Sequence, residues 1–162
     1  MSNVTITVEA SSVLVNAAKL QSVLFIGSDG TLSINIASDS DRHFFWAPLE
    51  GEKAFEMDFR DLPARRDDVL PIDVEHLEAT ATGLARSHAI NAGFGALLIT
   101  PEGTHIIIKH VHDGFPIKVN LTTKKWEYID DNELGLIADA WTLNGYVDGR
   151  IVVSVPCKAR LG

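Results

Sequence analysis

Apolar and polar positions recur along this chain with two different periods, and the change from one to the other predicts its elements. Val4-Thr5-Ile6-Thr7-Val8 alternates, the pattern of a half-buried strand. Glu9-Ala10-Ser11-Ser12 follows, with serine hydroxyls suited to capping free backbone N–H groups. Val13, Ala17 and Leu20 then recur at helical spacing and predict a short amphipathic helix. Apolar runs over 23–26 and 31–36 flank Ser28-Asp29-Gly30, which predicts a hairpin because glycine takes the positive φ of a tight turn. Phe44-Phe45-Trp46 and residues 53–59 predict two more strands, joined through Pro48 and Gly51. Residues 60–68, with Pro63 and clustered charges, are expected to be a turn, a short helix or a linker.

The same plan starts again near Val69. A short apolar stretch ends at Ile72, Asp73 is placed to cap, and Leu77, Ala81 and Leu84 form the stripe of a second predicted helix. Strand 96–100 turns at Pro101-Glu102-Gly103 into strand 104–111, and strands over 117–121 and 125–129 follow. Asp130 and Asp131 are expected to open a further helix, with Leu134, Ile137, Ala138 and Trp141 on its apolar side. A strand over 151–155 closes the pattern. Laying 23–26 over 96–99 brings Asp29-Gly30-Thr31 over Glu102-Gly103-Thr104, and Phe55-Glu56 then falls over Trp126-Glu127. Element order and spacing agree as well, so the chain reads as a duplication of units 1–68 and 69–162. The expected fold is α+β, with helices packed on one side of antiparallel sheets.

Composition adds limits. With 46% hydrophobic and 22% charged residues, the chain is expected to build a real core. Its 14 Lys and Arg against 22 Asp and Glu give a net charge of -8, which repels nucleic acid unless the cations gather in one place. Cys157 is the sole cysteine, so no disulfide framework is implied. The start has no basic region followed by a signal-length apolar stretch, and no apolar run is long enough to span a bilayer. A cytoplasmic protein with no membrane partner is expected.

Candidate chemistry is sparse. In a strand, His110 and His112 would point the same way and could present both imidazoles to one metal, with Asp113 close by. No other histidine has a spacing that names a third ligand. Asp67-Asp68 and Asp130-Asp131 suit helix entries rather than acid–base work. There is no nucleophile elbow, and Gly93-Phe94-Gly95 precedes a strand, whereas a dinucleotide fingerprint needs a following helix. No catalytic residue, metal or cofactor is therefore assigned, and a non-enzymatic protein is expected. A metal-dependent enzyme using His110 and His112 remains an alternative. Phe44, Phe45 and Trp46 are the candidate partner-binding residues, since consecutive aromatics in a strand put a ring on each face. Val152-Val153-Ser154-Val155 is a candidate edge for pairing between subunits.

The repeated unit resembles that of the DNA sliding clamps. The resemblance rests on Ile6-Thr7-Val8-Glu9, the helix over 12–20 and Asp29-Gly30-Thr31-Leu32-Ser33-Ile34. A second copy runs from Ile72 through Gly103-Thr104, and His112-Asp113-Gly114-Phe115-Pro116 falls where clamps carry an acidic-glycine stretch. It implies a homo-oligomeric ring with helices lining a hole around double-stranded DNA, acting as a processivity factor that tethers a polymerase. Phosphate contacts would then fall to Lys19, Arg60, Arg65, Arg66 and Arg86. The chain departs from that pattern in being short for a clamp subunit. The predicted helix over 131–143 also carries Glu133 and Asp139 but no cation. The alternative is an assembly protein, for example a virion component, whose sheets supply subunit contacts.

Overall fold

The computed structural model describes residues 3–9, 24–27, 29–37, 43–61, 70–72 and 74–160. Nearly all of their regular structure is strand. The first sheet contains β2 (Leu24–Ile26), β3 (Leu32–Ile36), β4 (His43–Pro48), β5 (Asp58–Asp61) and β6 (Leu70–Ile72), in the order β5-β4-β3-β2-β6. The second contains β8 (Ala85–His88), β9 (Leu97–Thr100), β10 (Gly103–Lys109), β11 (Pro116–Asn120), β12 (Trp126–Tyr128) and β13 (Leu134–Ala138), in the order β12-β11-β10-β9-β13-β8. The third is β1 (Asn3–Glu9), β7 (His76–Thr82), β14 (Ala140–Val147) and β15 (Arg150–Lys158), in the order β1-β7-β14-β15. Every neighbouring pair is antiparallel.

The expected α+β fold is thereby corrected to an all-β one. Among the described residues the only helical piece is the 3₁₀ turn Ala89–Asn91. The helix predicted over 12–20 lies outside the described residues. Leu77 and Ala81, taken as a helical stripe, belong to β7, which buries Leu77, Ala79 and Ala81 at every second position. Residues four apart share a face in either period, and here the intervening Ala79 and the pairing of β1 and β14 on both sides decide for strand. The stripe Leu134, Ile137, Ala138 and Trp141 splits between β13 and β14. Gly135 shows why: a Cβ there would lie 2.4 Å from the Leu98 side chain and 2.9 Å from the Ile99 carbonyl, so the backbone runs flat against β9. The strand expected over 53–59 is also shorter. Phe55 N donates to Pro48 O at 2.8 Å in a turn, and β5 starts only at Asp58.

Both predicted hairpins form, β2–β3 across Gly30 with φ 82° and β9–β10 across Gly103 with φ 139°. β1, from the proposed first unit, pairs along its whole length with β7 from the second.

Each sheet turns an apolar face inward on the other two. Leu24, Ile34 and Ile36 of the first sheet, Leu97, Ile106, Ile108 and Ile117 of the second, and Leu77 and Leu143 of the third share one core. Burying such a side chain contributes roughly 1.5–3 kcal/mol, so this shared core dominates stability. The second sheet also buries part of its reverse face, where Ala89, Ala96, Leu98, Ile107, Ile129 and Ile137 cluster. That double burial explains why 96–99 and 106–108 read as unbroken apolar runs rather than alternating ones. No helix among the described residues is long and apolar enough to cross a membrane.

Gly95 is the point where all three sheets meet. Its N–H donates to Ile107 O at 2.7 Å, and its carbonyl accepts from Trp141 Nε1 at 2.8 Å. A Cβ would fall 2.4 Å from the Phe55 ring, and φ is +96°. Gly95→Ala is expected to destabilise the protein by about 3 kcal/mol through overpacking and backbone strain, as read from urea denaturation.

Lys124 lies in the β11–β12 loop with its side chain fully buried and Nζ donating to Leu121 O. Its carbonyl accepts from Ala37 N at 2.8 Å, tying this loop to the end of β3. Burial drives its pKa down from 10.5 to about 7. The folded state therefore binds this proton less tightly than the unfolded chain does. Stability from this group rises with pH between those two values and is lowest at and below neutrality. Lys124→Met is expected to raise stability by about 1–4 kcal/mol at neutral pH. The gain should shrink as pH approaches the ordinary lysine value, measured by denaturation at a series of pH values.

Candidate partner-binding site

Strand parity and one tight loop bring His43, Phe45, Phe59, His110, His112, Trp126 and Tyr128 together. In β4 and β5, Phe45 lies opposite Phe59 and His43 two residues before it, so all three face the same way. Past the end of β10 the chain turns back through 110–115, with His110 N donating to Phe115 O at 2.9 Å and Gly114 N to His110 O at 3.1 Å. Beyond β11, β12 places Trp126 and Tyr128 on one face. The rings form a row. Centroids lie 5.9 Å apart for His43–Phe45, 6.1 Å for Phe45–Phe59 and 5.3 Å for Phe59–His112. The row continues at 5.6 Å from His112 to His110, then 4.9 Å to Trp126 and 5.3 Å to Tyr128. It crosses from the first sheet to the second at the margin of their shared core, and such ring pairs add about 0.5–1.5 kcal/mol each beyond the area they bury.

The row ends in an exposed tip organised by Asp113. One carboxylate oxygen accepts from Phe115 N at 2.9 Å and lies 3.2 Å from His110 Nδ1. The other accepts from the Tyr128 hydroxyl at 2.6 Å. That hydrogen bond holds the Asp113 carboxyl below the usual carboxylate range and pushes the Tyr128 phenol up. Phe115 and Tyr128 are 63% and 47% exposed, so two rings stand in solvent with a fixed negative charge between them.

Behind the second sheet lies a different polar cluster. Lys118 in β11 is only 4% exposed, and its Nζ stands 2.6 Å from Glu133, 3.4 Å from Glu102 and 3.9 Å from Glu127. Burial opposes its charge, but the Glu133 hydrogen bond and the neighbouring carboxylates outweigh it and raise the pKa. His105 beside it is held low by burial first and by the Lys118 charge second. Lys118, Glu102, Glu127 and His105 line a pocket of about 120 Å³ together with Asn120 and Thr123. A protonated lysine facing three carboxylates is no nucleophile, so the cluster reads as a salt-bridged anchor for the β9–β10 turn and the approach to β13.

The residues expected from sequence scatter. Phe45 joins the row next to His43, Trp46 alternates away from it half-buried, and Phe44 lies in β4 between His43 and Phe45. His110 and His112 do not share a strand face, because 111–113 is a turn, and their rings stand edge to face. Among the described residues no group of three or more His, Cys, Asp or Glu is placed to hold a metal ion. Of the proposed phosphate contacts, Lys19, Arg65 and Arg66 lie outside the described residues. Arg60 stands in β5 and Arg86, exposed, in β8, on edge strands of different sheets.

No family model, curated protein or solved structure matches the chain. The site has to be read from its own geometry. The residues missed at sequence level are Phe59, Asp113, Phe115, Trp126 and Tyr128. Only the alternation Trp126-Glu127-Tyr128 hinted that two rings would share a face.

The chain has two tyrosines, and Tyr146, bonded to Glu78, also has its phenol pushed up. Both are expected to ionise late in an ultraviolet absorbance titration. Asp113→Asn is expected to return one of the two toward the ordinary phenol range and leave the other where it was.

Proposed function

We propose that this protein is a non-enzymatic interaction module that docks a partner on the tip formed by Asp113, Phe115 and Tyr128. The observation that carries the reading is the exposure of two large rings, Phe115 in the loop and Tyr128 in β12, on residues that both donate hydrogen bonds to the Asp113 carboxylate. Aromatic side chains supply contact area at low conformational-entropy cost and dominate interface energetics. The row of His110, His112, Trp126 and Phe59 supports the tip from behind, so Phe45 acts as backing rather than as the docking residue.

The chemistry favours a basic segment with an apolar neighbour. Ring faces attract Lys or Arg, Asp113 offers a fixed acceptor, and the net charge of -8 steers cations inward. The ring around DNA with a tethered polymerase draws on cations gathered along helices. Arg60 and Arg86 stand apart on two sheet edges, which lends that reading no support. An interaction or assembly protein is the better fit to this geometry.

Selection from a random peptide library on the purified protein is expected to enrich segments rich in Arg or Lys beside an apolar residue. The double variant Phe115→Ser with Tyr128→Ser should bind them about tenfold more weakly or worse. Its far-ultraviolet circular dichroism should keep the strand signal, because neither side chain belongs to a buried core cluster. Equal enrichment on the double variant would sink the proposal.

A further inference from the structure

β15 is a nine-residue strand at the edge of the third sheet, and among the described residues it pairs only with β14. Between Arg150 and Lys158 it reads Ile-Val-Val-Ser-Val-Pro-Cys, without a charge. Ile151 and Val152 are 55% and 51% exposed. A long, β-branched, uncharged edge is a template for another strand, and proteins blunt such edges with proline or charge unless a partner covers them. Here Pro156 blunts one end only. Proline has no N–H, so Pro156, opposite Thr142, sits where the strand turns its N–H away from β14. Ser154, two residues earlier, shares that parity and turns its own N–H and carbonyl to the open side. The register shift opposite Gly145 and Tyr146 leaves Val152 as the extra residue on β15. Among the described residues the stretch from Arg150 to Val155 has no strand on its outer side, with the bulge at Val152 interrupting it once.

We propose that this edge pairs antiparallel with the same edge of a second copy, about a two-fold axis, so that the third sheet runs on across both chains. Identity of the two strands is what makes the match. An antiparallel ladder between copies is self-complementary in backbone polarity, and a two-fold closes the assembly without leaving a repeating surface. Charge selects the same place. Each chain carries -8 overall, yet from Arg150 through Arg160 β15 and its continuation hold cations and no acid. Two acidic chains repel least where neither presents a carboxylate. Pro156 limits the register to the stretch before it, and Val152 and Ile151 lose their exposure in the joint. This surface is separate from the Asp113 tip and does not depend on the reading of it.

Analytical ultracentrifugation across micromolar concentrations is expected to give the mass of two chains for the native sequence. The pair Ile151→Lys with Val152→Lys should give one, with unchanged circular dichroism because both side chains are already exposed. Ser154→Pro, which removes an outward N–H and no N–H bond to β14, should weaken the dimer as well. Amide exchange at Ser154 should slow as the native protein is concentrated. Phe115→Ser with Tyr128→Ser should leave the dimer intact. A single-chain mass throughout the range overturns the proposal, and so does a dimer that survives the lysine pair with the Ser154 amide still exchanging freely.

Discussion

The contact between Gly95, Trp141 and Phe55 is the constraint that the arrangement of sheets turns on. Each sheet has an apolar face too small to be stable alone, and burial requires all three faces to close on one volume. Trp141 comes from the third sheet, Phe55 from the turn between β4 and β5, and Gly95 from the approach to β9. The indole donates to the Gly95 carbonyl, and the Phe55 ring occupies the space where any other residue would hold its Cβ. Phe55 itself has φ 65° and accepts from Lys109 N at 2.8 Å, so its backbone is committed as well. With those three in register, Leu97, Ile106 and Ile108 are carried under Ile34, Ile36 and Leu143.

That closure also sets where chemistry can appear. At the margin of the joint between the first two sheets a row of rings passes from one sheet to the other, and it ends at Tyr128 in β12, whose hydroxyl donates to Asp113 of the neighbouring loop. The two buried lysines show the opposite responses to a dry interior. Lys118 keeps its charge because Glu133 and Glu102 lie within hydrogen-bonding distance. Lys124 has one carbonyl partner and yields its proton readily. A charge removed from water persists only where an opposite charge is supplied.

Much of the strand pattern was legible from local residues. The Asp-Gly and Glu-Gly hairpins, the alternation of β1 and the uncharged run of β15 each carry their own signal. What failed were the two helices placed on described residues. Leu77 and Ala81 stand four apart, a separation that helix and strand periods both allow. Leu134, Ile137 and Ala138 fit the helical period, but β13 puts Ile137 and Ala138 into cores on opposite faces of its sheet. The decision went to the period that let β7 pair on both sides and let Gly135 lie against Leu98. The expectation that His110 and His112 share a strand face failed for a related reason. It assumed that the strand continued, whereas β10 stops at Lys109 and the turn sets the two rings edge to face.

The sequence by itself determined that this is an acidic, cysteine-poor chain with a real core, two glycine hairpins and an aromatic strand at 44–46. These follow from interactions within a few residues: turn conformations open to glycine, alternation of side chains, and net charge. Only the tertiary structure decided that the described residues form an all-β fold, that Phe45 backs a row of rings ending at Tyr128, and that β15 is the last strand of its sheet among them. Those outcomes depend on which strands lie next to which, and pairing partners far apart in sequence leave no trace in either one alone.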